Sequence, residues 1–262
     1  MERTRAGCVE PIDTQFLRRL KNREDAAWFE LWEVFGPALE RMVERFGRRR
    51  FTPETVRDIS QETLMRVAKE VHRFDPDRGA RFSTWLFQIA KHVVAKEFEY
   101  RMAKKRGSGV KPDSIDASPY EPGDDAPAPP AEYEMAVFRA KVYRAMRLAE
   151  ERSGFLEFEC YKARILRGML GKDIAVAMGI SEPTVSRYLA AVRETLRATI
   201  SDVVRDYSFT GEEIDEVRGA RLDRPGDDFD RALAEIYARE EASRKGYDTL
   251  SRVAGLGRGA FG

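Results

Sequence analysis

Between Glu24 and Arg106 apolar residues recur every three or four positions almost without interruption, the period of helices that bury one face. The segment 54–72 is the clearest case. Val56, Ile59, Thr63, Val67 and Val71 share one side, and Asp58, Gln61, Glu62, Met65 and Lys69 the other. Asp75-Pro76 stops this helix and Gly79 suits a tight turn. Ser83 or Thr84 is positioned to cap a following helix. That helix is expected to bury Trp85, Leu86, Ile89, Ala90, Val93 and Val94 and to expose Gln88, Lys91, His92, Ala95, Lys96 and Glu99, ending in the basic run RMAKKR. The stretch 107–134 is rich in Pro, Gly, Asp and Ser. It has too little apolar surface to offset its ordering entropy and is expected to be a flexible linker. Helical spacing returns from about Pro130 to Ile200, and a break at Tyr207–Gly211 precedes a polar tail. Period-two alternation is not sustained anywhere. The predicted fold is all-α: two small helical domains joined by an acidic Pro-rich linker, plus a helical C-terminal extension.

The second helical stretch carries a turn with specific chemistry. In GKDIAVAMGISEPTVSRYLAAVRETLR (171–197), Ile174, Ala175, Met178, Ile180, Val185, Leu189 and Val192 are the apolar positions. Gly179 suits a left-handed turn, Ser181 an N-cap, and Pro183 the first turn of the next helix. A small residue, a glycine four later and a cap two beyond that form a helix-turn-helix signature. The second helix, 182–197, would enter a major groove with its N-terminus first, presenting Glu182, Thr184, Ser186, Arg187, Ala190 and Arg193. A plain helical hairpin is the simpler alternative. In the first domain, a loop with Arg81, Phe82 and Ser83 could hold an unstacked base, while Trp85 is better placed in a core.

Charge alternates along the chain although the net charge is only +1. Residues 1–107 hold 23 basic against 17 acidic side chains, 108–134 hold 1 against 7, 135–200 hold 12 against 7, and 201–262 hold 10 against 14. Basic blocks attract phosphate backbones, and acidic neighbours can mask them. The chain is 42% hydrophobic, yet no apolar run approaches the roughly 18 residues of a membrane span, so no membrane insertion is expected. MERTRAGCVEPIDTQF has no apolar h-region, so no secretory signal is expected either. Two cysteines, Cys8 and Cys160, and two histidines, His72 and His92, are too scattered for a zinc site or a disulfide framework. A reducing, cytoplasmic setting is expected, with no metal or cofactor. A phosphate-binding glycine loop and a clustered carboxylate set are both missing from the sequence, which argues against an enzyme.

The strings DISQETLMRV (58–67) and FDPDRGARFSTWLFQIA (74–90) resemble region 2 of bacterial sigma-70 family RNA polymerase factors. With the helix-turn-helix following, the order is similar to the two-domain extracytoplasmic-function (ECF) type. The resemblance implies these parts: an N-terminal segment 1–22, region 2 over 23–106, a linker 107–131, region 4 over 132–200, and an added extension 201–262. It implies that Asp58, Gln61, Glu62 and Arg66 bind the β′ clamp helices of core polymerase. It implies that the loop Asp75–Ser83, with Arg81, Phe82 and Ser83, captures a flipped base of the −10 promoter element, and that Gln88, Lys91, His92 and Lys96 contact that strand. Ser181, Glu182, Thr184, Ser186, Arg187 and Arg193 would read the −35 duplex, and the β flap would be a further polymerase contact. An anti-sigma factor is left open as a controlling partner. The alternative function is a helix-turn-helix transcriptional regulator that does not engage core polymerase.

The sequence departs from the family in three places. Ser186, Tyr188 and Ala191 replace basic residues common in the recognition helix, which predicts fewer phosphate contacts there. His92 stands where Asn is common. The extension is the third. Its segments FTGEEIDEVRGARL and DDFDRALAEIYAREEASRK are expected as two amphipathic helices, with an apolar stripe of Phe229, Leu233, Ile236 and Tyr237 that needs a surface to cover. The chain's own domains are one such surface. A regulatory role, with the acidic tail covering the polymerase-binding or DNA-binding face, is the other reading. The final GLGRGAFG is expected to be disordered.

Overall fold

Among the residues that the computed structural model describes (15–47, 50–105 and 129–253, with side chains to 243) there are ten α-helices and no strand. Most of the expected linker, and the last residues GLGRGAFG, lie outside that set. α1 (Gln15–Lys21) was not legible as an element because it is only seven residues long; Phe16, Leu17 and Leu20 on one side are all it buries. α2 (Asp25–Gly47) carries Leu31, Val34, Phe35, Ala38, Leu39, Met42 and Val43 into the core. At Gly36 a Cβ would lie 2.7 Å from the Trp32 ring, so the residue is small because that indole folds across it. α3 (Pro53–Glu70) starts at an N-cap, Thr52, whose side chain accepts from the Thr55 N–H. It ends in a 3₁₀ turn at Val71–Arg73. Asp75 caps a second such turn, and Gly79 follows it at φ +69°, the left-handed turn its position suggested.

α4 (Phe82–Lys105) begins earlier than the sequence implied. Ser83 lies inside its first turn, buried, and donates to a Glu134 carboxylate oxygen at 2.7 Å instead of capping the helix. Trp85 and Phe87 are core residues.

α5 (Ala131–Arg152) is the central helix. It packs on α2 on one side and on α8 on another. Tyr133, Ala136, Val137, Phe138, Ala140, Val142, Ala145, Met146 and Ala149 are all buried, and the alanines let neighbouring backbones approach from more than one direction. After α6 (Phe155–Tyr161) and a π-helical turn (Lys162–Leu166), α7 (Gly171–Met178) and α8 (Glu182–Asp206) form the helix-turn-helix. Gly179 closes α7 at φ +66°, and Ser181 accepts from the Thr184 N–H. α8 continues about two and a half turns past the end expected at Arg197, because Leu196, Ile200, Val203 and Val204 prolong its buried stripe. α9 (Gly211–Gly219) opens with a reciprocal cap between Thr210 and Glu213. α10 is Asp227–Val253.

The chain is all-α, as expected, and the two sequence halves lie against each other around one continuous apolar core. At the α2–α5 seam Glu33 accepts from Arg144 and from Arg147, while Glu30 accepts from Arg19 and from the Tyr207 hydroxyl at 3.1 Å. At the joint sits an aromatic cluster. Phe82 lies 5.3 Å from Phe35, 5.2 Å from Phe74 and 5.8 Å from Phe209, and Phe209 is also 5.6 Å from Phe74. Phe209 comes from the break between α8 and α9, so the extension contributes a ring to the centre of the first half.

Candidate nucleic-acid and polymerase interfaces

α3 turns an undivided polar ridge to solvent. Asp58, Gln61 and Lys69 are exposed, Glu62 is partly so, and Met65 among them is 59% exposed. The ridge follows from helical period: Val56, Ile59, Thr63 and Val67 are buried on the opposite face. Arg66 differs from its expected place on the ridge. It is buried, and its Nε donates to Glu70 at 3.1 Å. It follows Ile59 by seven residues and Thr63 by three, so it sits at the edge of the buried face instead of on the ridge.

The loop before α4 is closed. Phe82 and Ser83 are fully buried, so neither is offered to an incoming base in this conformation. Phe82 packs first among Phe74, Phe35 and Trp85 of its own half, and residues of the second half and the extension close over the rest. Phe209 covers Phe82, and the Tyr133 hydroxyl donates to the Ser83 carbonyl at 3.3 Å. The Arg81 guanidinium is enclosed by acids. It donates to Glu216 at 2.5 Å and to Glu212 at 3.4 Å, both on α9, and pairs with Glu134 of α5 at 3.6 Å. Burial works against the Arg81 cation, but Glu216, Glu134 and Glu213 outweigh it and raise its pKa. Burial also raises the Glu216 and Glu134 carboxyls, and Arg81 opposes this only in part.

Along α4, Lys91 and His92 are exposed and Lys96 partly so, as expected. Gln88 is a correction: at 6% exposure it faces the interior. The reason is that α4 is covered on more than one side, so its buried arc is wider than an amphipathic stripe. The His92 pKa is lowered, first by partial burial and then by Arg66 and Lys96, which favours a neutral ring at neutral pH.

The N-terminal turns of α8 present Glu182, Ser186, Arg187 and Ala190 to solvent, with Thr184 half-buried. Arg193 is engaged elsewhere. Its Nε and a terminal nitrogen grip the Asp230 carboxylate of α10 at 2.9 and 2.5 Å, and the Tyr161 hydroxyl donates to the same carboxylate at 2.9 Å. The hydrogen bond to Asp230 raises the Arg193 pKa despite burial. A groove of about 590 Å³ separates this face of α8 from α10, lined by Glu182, Ser186, Leu189, Arg193, Asp230 and Arg231 among others.

Behind these contacts lies a buried ion pair. Lys141 of α5 is 1% exposed; its Nζ donates to Ser208 Oγ at 2.9 Å and to Glu213 at 3.2 Å. The second Glu213 oxygen accepts from the Phe209 N–H at 2.8 Å. Sequence reading missed Glu134, Lys141, Tyr161, Phe209, Glu216 and Asp230. The i,i+4 acids Glu212 and Glu216 and the aspartate beside Phe229 were visible signals, but nothing local says which cations they meet. The stripe Phe229, Leu233, Ile236 and Tyr237 packs on the chain's own helices.

Residues 31–103, which span most of α2 through α4, match the family model for sigma-70 region 2. The chain is also 32% identical over 84 residues to the probable RNA polymerase sigma-C factor of Mycobacterium bovis and to the ECF RNA polymerase sigma factor SigC of Mycobacterium tuberculosis. Each match covers 32% of this chain and 44% of the relative, so the chain spans under half the length of the curated relatives it matches. DISQETLMRV and the loop that follows it thus lie, on helices in the expected order, inside a segment that is similar to region 2 of sigma-70 factors.

Proposed function

We propose that the chain is a promoter-specificity factor: it binds core RNA polymerase, recognises −10 and −35 elements and helps to open the duplex, in the cytoplasm, while nucleotide chemistry stays with the polymerase. The observation that carries this reading is the α3 ridge within the matched region 2, where Asp58, Gln61, Glu62 and an exposed Met65 form a polar surface with an apolar centre. Such a surface suits a protein partner, here the β′ clamp helices. Lys91, His92 and Lys96 would follow the −10 strand, and a neutral His92 would engage a base edge more readily than a phosphate. The exposed start of α8 would read the −35 duplex, with Arg187 and Arg193 its cations. A regulator that works without polymerase would have no use for the α3 ridge.

The test is capture of core polymerase by the purified chain. Wild type should bind, and Gln61→Ala/Glu62→Ala should lose at least tenfold in affinity with unchanged helicity. A chain that fails to bind core polymerase at low salt while still binding DNA overturns the reading.

A further inference from the structure

Resting on that reading, we propose that α9 and α10 of the extension are a built-in competitor of promoter DNA. They act after the chain has docked on polymerase and leave docking itself untouched. Two of their contacts fall on groups that DNA would need. Glu216 and Glu212 occupy the Arg81 guanidinium. Asp230 takes Arg193 in a two-nitrogen grip. Carboxylates are thus held where backbone phosphates would approach, and an Arg–carboxylate fork satisfies the same donors as an Arg–phosphate fork. The extension is itself acidic, 14 acidic against 10 basic residues over 201–262, which fits a stand-in for a polyanion.

The covering is selective. Among the described residues α3 packs chiefly on α2, α4 and the turn that follows it, and its outer face keeps Asp58, Gln61, Met65 and Lys69 exposed. Lys91 and His92 on α4 are exposed as well. The closed chain therefore offers its polymerase ridge and part of its −10 strand surface while withholding Arg81 and Arg193. Apparent promoter affinity is then the intrinsic affinity scaled by the fraction of chains whose extension has lifted. Polymerase affinity carries no such factor.

The latch can be loosened without removing it. Deleting residues from Tyr207 onward is a poor probe, because Tyr207 and Phe209 belong to the core and Glu213 pairs with the buried Lys141. Asp230→Asn/Glu216→Gln keeps shape and removes both charges. With folding checked by circular dichroism, this variant should bind core polymerase within twofold of wild type. It should raise promoter-complex formation and run-off transcript at least fivefold at 0.1 M salt. Hydrogen exchange on wild type should show α3 protected on adding core polymerase with α10 unchanged, and α10 exposed only when promoter DNA follows. The proposal is overturned if the variant tightens polymerase binding in step with transcription, if transcription does not rise, or if polymerase alone releases α10. Failure of wild type to bind polymerase at all would strike the sigma-factor reading instead.

Discussion

The outer face of α3 and the recognition end of α8 are both solvent faces by sequence, yet they meet different fates. On α3 the residues Asp58, Gln61 and Met65 remain exposed. On α8 the first turns are exposed, but Arg193, three turns in, is held by Asp230 and Tyr161 across the groove to α10. The difference is one of neighbours. α3 lies at the edge of its bundle with its apolar stripe already covered, whereas α8 borders helices that follow it in the chain and must bury Phe229 and Leu233 somewhere. A polar face stays free when no nearby segment needs a place to pack.

The comparison can be broken most forcefully at the joint. Phe209→Ala should cost about 3–5 kcal/mol of stability by leaving a cavity among Phe74, Phe82 and Phe35. Chemical denaturation should show a single transition moving to lower denaturant; an unchanged midpoint would mean the ring is not part of the core. Lys141→Met should cost a similar or slightly smaller amount, about 3 kcal/mol, because Glu213 is then left buried without its cation. Adding Glu213→Gln to that variant should recover part of the loss, since an amide oxygen can still accept from the Phe209 N–H. If the second change deepens the loss instead, the ion pair is not what Lys141 supplies.

On the open side the effects should be smaller and should not register in folding. Met65→Ala removes an exposed side chain, so stability should move by no more than about 0.5 kcal/mol. Polymerase affinity should still fall severalfold in a titration of labelled protein against core enzyme. An equal affinity would place the docking centre elsewhere on the ridge.

A further effect concerns pH. Burial pushes the Glu40 carboxyl on α2 up to about 7, although Arg57 and Arg41 oppose the shift and Glu44 adds to it. A group whose pKa is higher in the folded state binds more protons there than in the unfolded chain, so its contribution is present below about 4.5 and is lost as pH rises to 7. Glu40→Gln should therefore be more stable than wild type at pH 8, and the two should converge near pH 5 in parallel thermal melts. A gap that widens on acidification would give Glu40 the opposite role.

Much of the fold was legible because helices declare themselves locally. The α3 stripe, the Gly179 turn and the Ser181 cap each depend on residues within one or two turns, and each is where its pattern implies. The errors arose where burial was decided from outside the helix. Gln88 looks solvent-facing by period, but further neighbours widen the buried arc of α4, and Arg66, assigned to the ridge by resemblance, falls beside Ile59 at the edge of the buried face of α3. Phe82 and Ser83 look like a reading loop until Phe74 and Phe35 enclose the ring and Tyr133 and Glu134 bond to Ser83.

By itself the sequence determined an all-α chain, the turn chemistry of its helix-turn-helix and the ridge on α3, since a 3.6-residue period and a cap are properties of neighbours in the chain. Only the tertiary structure decided that Arg81 meets Glu216, 135 residues away, and that Arg193 meets Asp230. Period fixes which side of a helix is polar, but a charged side chain's partner depends on how whole helices settle to bury their apolar stripes, and that is a property of the assembled core.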